Sequence, residues 1–282
     1  MVRTRFFFIT DVHGSDRVFR KFINAGMFYK VSVLILGGDI TGKMIVPIIR
    51  QNDGSYKCQY SGESITMTSQ GDVDAVKKNI RDSGFYPYLT EPKEFEELSE
   101  KPELVKKLFT RLMVDVIKGW MNLAEERLKG KGIKCFISPG NDDVFEIDEV
   151  LNSASYVINP EGRVVDIDGE HEMITLGYTN YTPWHSPREV DEDILQGKIE
   201  SMANQVKRMD RAIFNIHVPP IDTVLDQAAK LDANLKPVTS AGQLLMISAG
   251  SIASRNAIEK YQPMIGVHGH IHVSRESSQR AT

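Results

Sequence analysis

Five short apolar runs constrain this chain more than any other feature: Phe6–Ile9, Val31–Leu36, Ile133–Ile137, Ile213–Ile216 and Met264–Val267. None shows helical periodicity, and each is bounded by polar residues or glycine, so each reads as a fully buried strand. Helical patterns lie between them. Ser15–Tyr29 opens on a capping serine and carries apolar residues at Val18, Phe19, Phe22 and Ile23. Ser186-Pro187-Arg188-Glu189 has capping-box spacing with proline at the first helical position, which predicts a helix from there toward Met209. Strand alternating with helix predicts an α/β fold. Residues 162–178 read instead as a hairpin turning at Asp168-Gly169.

Residues 43–130 interrupt this rhythm. A hairpin is expected with its turn at Asn52-Asp53-Gly54, then a helix over Asp72–Asp82. A charged stretch comes next around Glu91–Pro102, and then a long helix through Trp120 to Leu128. The segment is too structured for a linker and too long for one loop, so it reads as an insertion or cap on a single domain spanning 1–282.

Bulk properties exclude several classes. With 282 residues, 41% hydrophobic and 26% charged, the chain has enough apolar material for a sizeable core. A net charge of −4 without a long basic run gives no general nucleic-acid footprint. Two cysteines, Cys58 and Cys135, stand far apart and argue against a disulfide framework. The apolar run after Arg3 and Arg5 is too short for a secretion signal, and no stretch reaches membrane-spanning length. The expectation is a cytoplasmic protein without a membrane partner.

The residues just beyond each apolar run carry the chemistry. After the first come Asp11-Val12-His13, after the second Gly37-Gly38-Asp39, and after the third Gly140-Asn141-Asp142-Asp143. The fourth leads into His217-Val218-Pro219-Pro220 and the fifth into His268-Gly269-His270-Ile271-His272. Ligands in α/β folds bind outside the carboxyl ends of strands, so five such ends are placed to share one site. In an extended segment alternate side chains share a face, which predicts Asp11 beside His13, His270 beside His272, and Ile271 pointing away into the interior. Carboxylates, imidazoles and one amide oxygen suit Mn, Fe or Zn better than calcium.

The ordered set Asp-x-His, Gly-Gly-Asp, Gly-Asn-x-Asp, His and Gly-His-x-His resembles the calcineurin-like metallophosphoesterase superfamily, and the match runs from Asp11 to His272. The resemblance implies a four-layer αββα sandwich. It implies that Asp11, His13 and His272 bind one metal and Asn141, His217 and His270 a second, with Asp39 bridging both. His268 falls outside that set and is expected to be a hydrogen-bonded strand histidine. The implied activity is hydrolysis of a phosphate mono- or diester by a metal-bound hydroxide, the two divalent ions clamping the attacking and leaving oxygens. Asp142, Asp143 and His217 are the expected catalytic side chains beside those metals.

Two departures stand out. The family commonly carries histidine directly after Gly-Asn, where this chain has Asp142. A carboxylate beside two dications donates protons poorly, so either the leaving group needs little protonation or another group, such as His185, supplies the proton. The family also usually continues past Gly-His-x-His into a further strand. This chain stops ten residues after His272, which predicts an exposed sheet edge and a truncated C-terminus. The loop 177–189 follows a strand, and Asn180, Thr182, Trp184 and His185 are expected to contact a small phosphoester substrate. A non-catalytic scaffold of the same fold and a nuclease are the alternative readings.

Overall fold

The computed structural model describes residues 4–272, so the expected C-terminal truncation lies outside the described residues. In chain order the elements are β1 (Phe6–Ile9), α1 (Asp16–Phe28), β2 (Val33–Leu36), β3 (Ile45–Arg50), β4 (Tyr56–Tyr60), β5 (Glu63–Met67), α2 (Gln70–Asp82), β6 (Tyr86–Thr90), α3 (Pro92–Glu100), α4 (Pro102–Leu128) and β7 (Lys134–Ile137). Next come α5 (Ile147–Ser153), β8 (Val164–Asp166), β9 (Glu172–Leu176), α6 (Glu192–Ala203), β10 (Ala212–Ile216), β11 (Gln227–Ala229), β12 (Thr239–Ser240), β13 (Gln243–Leu244), β14 (Met246–Ser248), α7 (Ile252–Tyr261) and β15 (Ile265–Val267). The fold is mixed α/β. No helix among the described residues is long and apolar enough to cross a membrane.

Two sheets contain the five apolar runs. One has the order β1-β2-β7, all parallel, with Phe6 opposite Val33 and Val33 opposite Lys134. The other has the order β15-β10-β9-β8, where β10 runs parallel to both β15 and β9, and β8 closes the predicted hairpin against β9. Val33, Ile35 and Phe136 of the first sheet share one apolar cluster with Met173 and Ile213 of the second. The opposite faces are covered as well. Leu34, Leu36, Cys135 and Ile137 pack with residues of α1, α4 and α5, and Ile174, Leu176, Phe214 and Ile216 with residues of α6 and α7. Strands covered on both faces need apolar side chains on both, which is why the runs show no alternation. Phe136 is fully buried in the shared cluster, and truncating such a side chain to alanine costs about 3–5 kcal/mol.

The interrupted region 43–130 divides in two. Its first part forms a sheet of order β5-β4-β3-β6 which, with α2, encloses a separate cluster of Val46, Ile48, Cys58, Met67, Val73 and Ile80. The second half of α4 instead belongs to the main core, where Trp120 stacks on Phe19 with ring centroids 4.2 Å apart. Helix α2 begins at Gln70, two residues before the expected start, because Ser69 and Asp72 cap it reciprocally. The charged stretch is itself helical, forming α3.

The helix predicted from Ser186 does not begin there. It starts at Glu192 and ends at Ala203, and Met209–Arg211 form a single 3₁₀ turn. The expected capping residues have other partners: Ser186 Oγ donates to Asp142 Oδ1 at 2.7 Å, and Glu189 accepts from the Thr182 backbone. Arg188 is 1% exposed, donates from Nε to the Asp143 carbonyl and pairs with Asp148 at 2.6 Å. A buried guanidinium satisfied by fixed acceptors outweighs the local preference for helix. Residues 221–250, which carry no clear sequence signal, hold two short antiparallel ladders, β11 with β14 and β12 with β13.

Candidate metal centre

The five strand ends converge, but not by simple alternation. Asp11, His13, Asp39 and His270 have φ values of 55°, 41°, 49° and 70°. The side chains therefore leave left-handed turns rather than extended segments, each costing roughly 1 kcal/mol for a non-glycine residue. Strand β15 ends at Val267, so His270 and His272 are not strand neighbours, and Ile271 lines the open cleft instead of the interior. Backbone bonds hold the turns: the amides of Asp11 and His13 donate to the carbonyls of Gly38 and Asp39 at 3.0 Å, and Gly269 donates to the His217 carbonyl at 2.9 Å. Close approach dictates glycine here. A Cβ at Gly140 would stand 2.2 Å from Asp39 Oδ1, and one at Gly269 would stand 2.4 Å from Asp11 Oδ2.

His272 Nε2 lies 3.1 Å from His13 Nε2 and 3.2 Å from Asp11 Oδ1. His217 Nε2 lies 3.3 Å from Asp39 Oδ1 and 3.9 Å from Asp11 Oδ1, and His13 Nε2 is 3.9 Å from Asp39 Oδ2. His270 Nδ1 is 2.8 Å from Asn141 Oδ1, and the His270 ring meets that of His217 edge-on at 5.5 Å. All seven residues expected as ligands are thus brought together. Ligand atoms of Asp11, His13 and His272 group within 4.8 Å of one another, as do those of Asp11, Asp39 and His217.

The donor chemistry fits divalent ions. His217 is wholly buried, and its Nδ1 lies 3.1 Å from the Gly37 carbonyl, which places the proton there and leaves Nε2 facing the carboxylates. That Nε2 is a buried atom without a hydrogen-bond partner, a state a coordinate bond would relieve. The carboxylates also make the cluster a place that attracts positive charge. Burial by itself would push His217 down, but the Asp39 carboxylate carries it up to about 9. Burial would raise Asp39, yet the His217 charge holds it well below the usual carboxylate range. His13 is lowered by burial, and His270 is pushed down to about 4 by burial and the His217 charge. The carboxylates and His270 are thus in ligating form, whereas His217 would give up a proton on binding a metal, so uptake of an ion there would release a proton.

Of the residues expected to be catalytic, Asp143 does not face the cleft. Its carboxylate is buried and accepts from Ile40 N, Thr41 N, Thr41 Oγ1 and Gly140 N at 2.6–3.1 Å. Burial and the nearby Asp39 raise it to about 6. With every partner donating to it, it ties the Asp39 loop to the Asn141 loop and is a positioning residue. Asp142 does line the cleft. His268 turns away, its Nδ1 lying 2.7 Å from the Ile216 carbonyl.

A cleft of 1070 Å³ opens on the cluster, and Asn180, Thr182, Trp184 and His185 all line it. Asn180 Nδ2 donates to the Gly250 carbonyl while its buried Oδ1 has no partner, and Trp184 is largely exposed. Sequence reasoning misses the other walls: Phe109 and Met113 from α4, Ile221 and Ile252 from beyond β10, and Lys43. The i, i+4 spacing of Phe109 and Met113 marks a shared helix face, though not that the face borders a site.

No family model matches the chain. Over 139 residues, 49% of its length, it is 30% identical to the uncharacterized protein MJ1162 of Methanocaldococcus jannaschii. The matched region covers 55% of that protein, so the chain spans about half the length of the curated relative it matches. One solved crystal structure aligns with a TM-score of 0.51 at 11% identity, covering 95% of this chain and 84% of the other. The likeness is one of fold. TT1561 of Thermus thermophilus aligns at a TM-score of 0.47, with 11% identity, over 93% of this chain and 80% of that one.

Proposed function

We propose that the chain is a dinuclear-metal-dependent phosphoesterase built as a four-layer αββα sandwich. The shared apolar cluster between the two sheets, with helices on both outer faces, supports the layering. The observation that carries the function is the convergence of carboxylate, amide and imidazole donors from five strand ends at the floor of one cleft. Asp11, His13 and His272 would hold one divalent ion and Asn141, His217 and His270 the other, with Asp39 between them. Ions held there, of manganese, iron or zinc, supply Lewis acidity toward phosphoryl oxygens and activate water. The chain's residues do the rest. Asp39, gripped by the Asp142 amide at 3.0 Å, keeps its carboxylate fixed between the two groups of ligands. Asn180 offers a polar atom to the substrate, and Phe109, Met113, Tyr181 and Trp184 give the ester's organic group an apolar wall.

Elemental analysis of purified protein and turnover of a chromogenic phosphodiester test the reading. About two equivalents of a transition metal, with turnover lost in Asp39→Ala, are the expected result. Protein that takes up no divalent ion, or an Asp39→Ala variant with undiminished turnover, overturns it.

A further inference from the structure

The loop after Asp39 delivers an unexpected charge to the centre. Lys43 Nζ lies 2.6 Å from Asp142 Oδ2, and the other oxygen of that carboxylate accepts from Ser186 Oγ at 2.7 Å. The backbone leading to the lysine is rooted firmly, although its side chain is 56% exposed. Thr41 donates through its amide and hydroxyl to buried Asp143, and the Gly42 amide donates to Tyr86 Oη at 2.7 Å. Gly42 also packs so closely that a Cβ there would stand 2.0 Å from the Gly84 carbonyl oxygen. The ammonium group is thus held by Asp142, whose oxygens group with the ligand atoms of His13 and Asp39 within 4.8 Å.

A fixed cation is a poor neighbour for a cation-binding cluster. Its field repels divalent ions, and it acts with burial to hold His13 down. Asp142 offsets part of that field, and a phosphate oxygen bound beside the cluster would offset more of it. Among the described residues lining the cleft, Lys43 and Lys106 are the only lysines and there is no arginine. Lys43 is the one paired to the residue adjoining ligand Asn141. We propose that Lys43 is a phosphoryl-binding residue, contacting a non-bridging oxygen of the phosphate ester, and that Asp142 and Ser186 position it there. This inference rests on the phosphoesterase reading and gives Asp142 a role other than proton donor. Lysine binds phosphate as a point charge, so the role requires no change in its protonation.

Two titrations by calorimetry test the assignment without turnover: Mn²⁺ into metal-free protein, and inorganic phosphate into Mn²⁺-loaded protein, each for wild type, Lys43→Met and Lys43→Arg. Lys43→Met is expected to bind phosphate about tenfold more weakly or worse, while its Mn²⁺ affinity stays equal or rises. Lys43→Arg recovers part of the phosphate affinity. The opposite signs matter, because a lysine that merely supports the loop would lower both affinities on removal, and that result overturns the proposal. Unchanged phosphate affinity in Lys43→Met also overturns it while leaving the phosphoesterase reading in place. Wild-type protein that binds no Mn²⁺ removes both.

Discussion

The two halves of the carboxylate–imidazole cluster are built differently. Asp39 and His217 are 2% and 0% exposed, set beyond the ends of β2 and β10 in the two facing sheets and held through backbone bonds. His13 and His272 are more open, with side chains 19% and 56% exposed. The buried half is fixed by the same packing that fixes the core, so its geometry exists before any ligand arrives. The more exposed half depends on side chains that solvent reaches. One site therefore joins a rigid floor to an adjustable rim.

Substitutions sharpen or break that contrast. The largest effect is expected at the floor: Asp39→Ala, which removes the carboxylate placed between both ions, should lose both and lower phosphodiester turnover about 10³-fold or more, with circular dichroism unchanged. At the rim, His272→Ala should weaken one ion by about 10–100-fold and leave the other, seen as a stoichiometry falling from two toward one. Equal loss of both ions in the two variants would erase the distinction. A smaller effect is expected further up the cleft wall. Trp184→Ala should raise KM about tenfold for an aryl phosphodiester and leave a methyl ester nearly unchanged, since only the larger group reaches that surface.

A last effect lies outside the site, leaves turnover alone and shows only in stability. Glu161 has a buried carboxyl tip, although the residue as a whole is half-buried; Oε2 accepts from the Gly177 amide and Oε1 has no partner. Burial raises it to about 7. A carboxyl raised in the folded state binds more protons there than in the unfolded chain, so stability falls as pH rises from about 4.5 to about 7 and then levels. Glu161→Gln should therefore raise Tm at pH 8, by at most about 3 kcal/mol in stability, with the gain vanishing near pH 4. A gain that persists at acid pH would contradict this account.

The strands and the clustered donor residues are legible in the sequence because both are local facts: an apolar run too short for a helix, then a donor. Their directions are not. Asp11, His13 and His270 adopt left-handed backbone that alternation does not foresee, and hydrogen bonds to distant loops hold them there. The same limit explains Ser186-Pro187-Arg188-Glu189, whose capping pattern is genuine but whose side chains are claimed by Asp142, Asp148 and Thr182. Lys43 escapes sequence reasoning for a related reason. Its partner lies 99 positions away, and the only local hint is a single cation between the Gly-Gly-Asp turn and an apolar strand. Asp143 looks reactive by position, and only its ring of donors shows it to be structural.

The cluster draws on both Asp11 and His272, residues 261 positions apart. During synthesis the first is made long before the second. At roughly 5–20 residues per second, a ribosome needs at least about ten seconds between them, and through that interval the early ligands wait without their partners. A chain halted before His272 therefore lacks the rim of the cluster, however well its first sheet has formed.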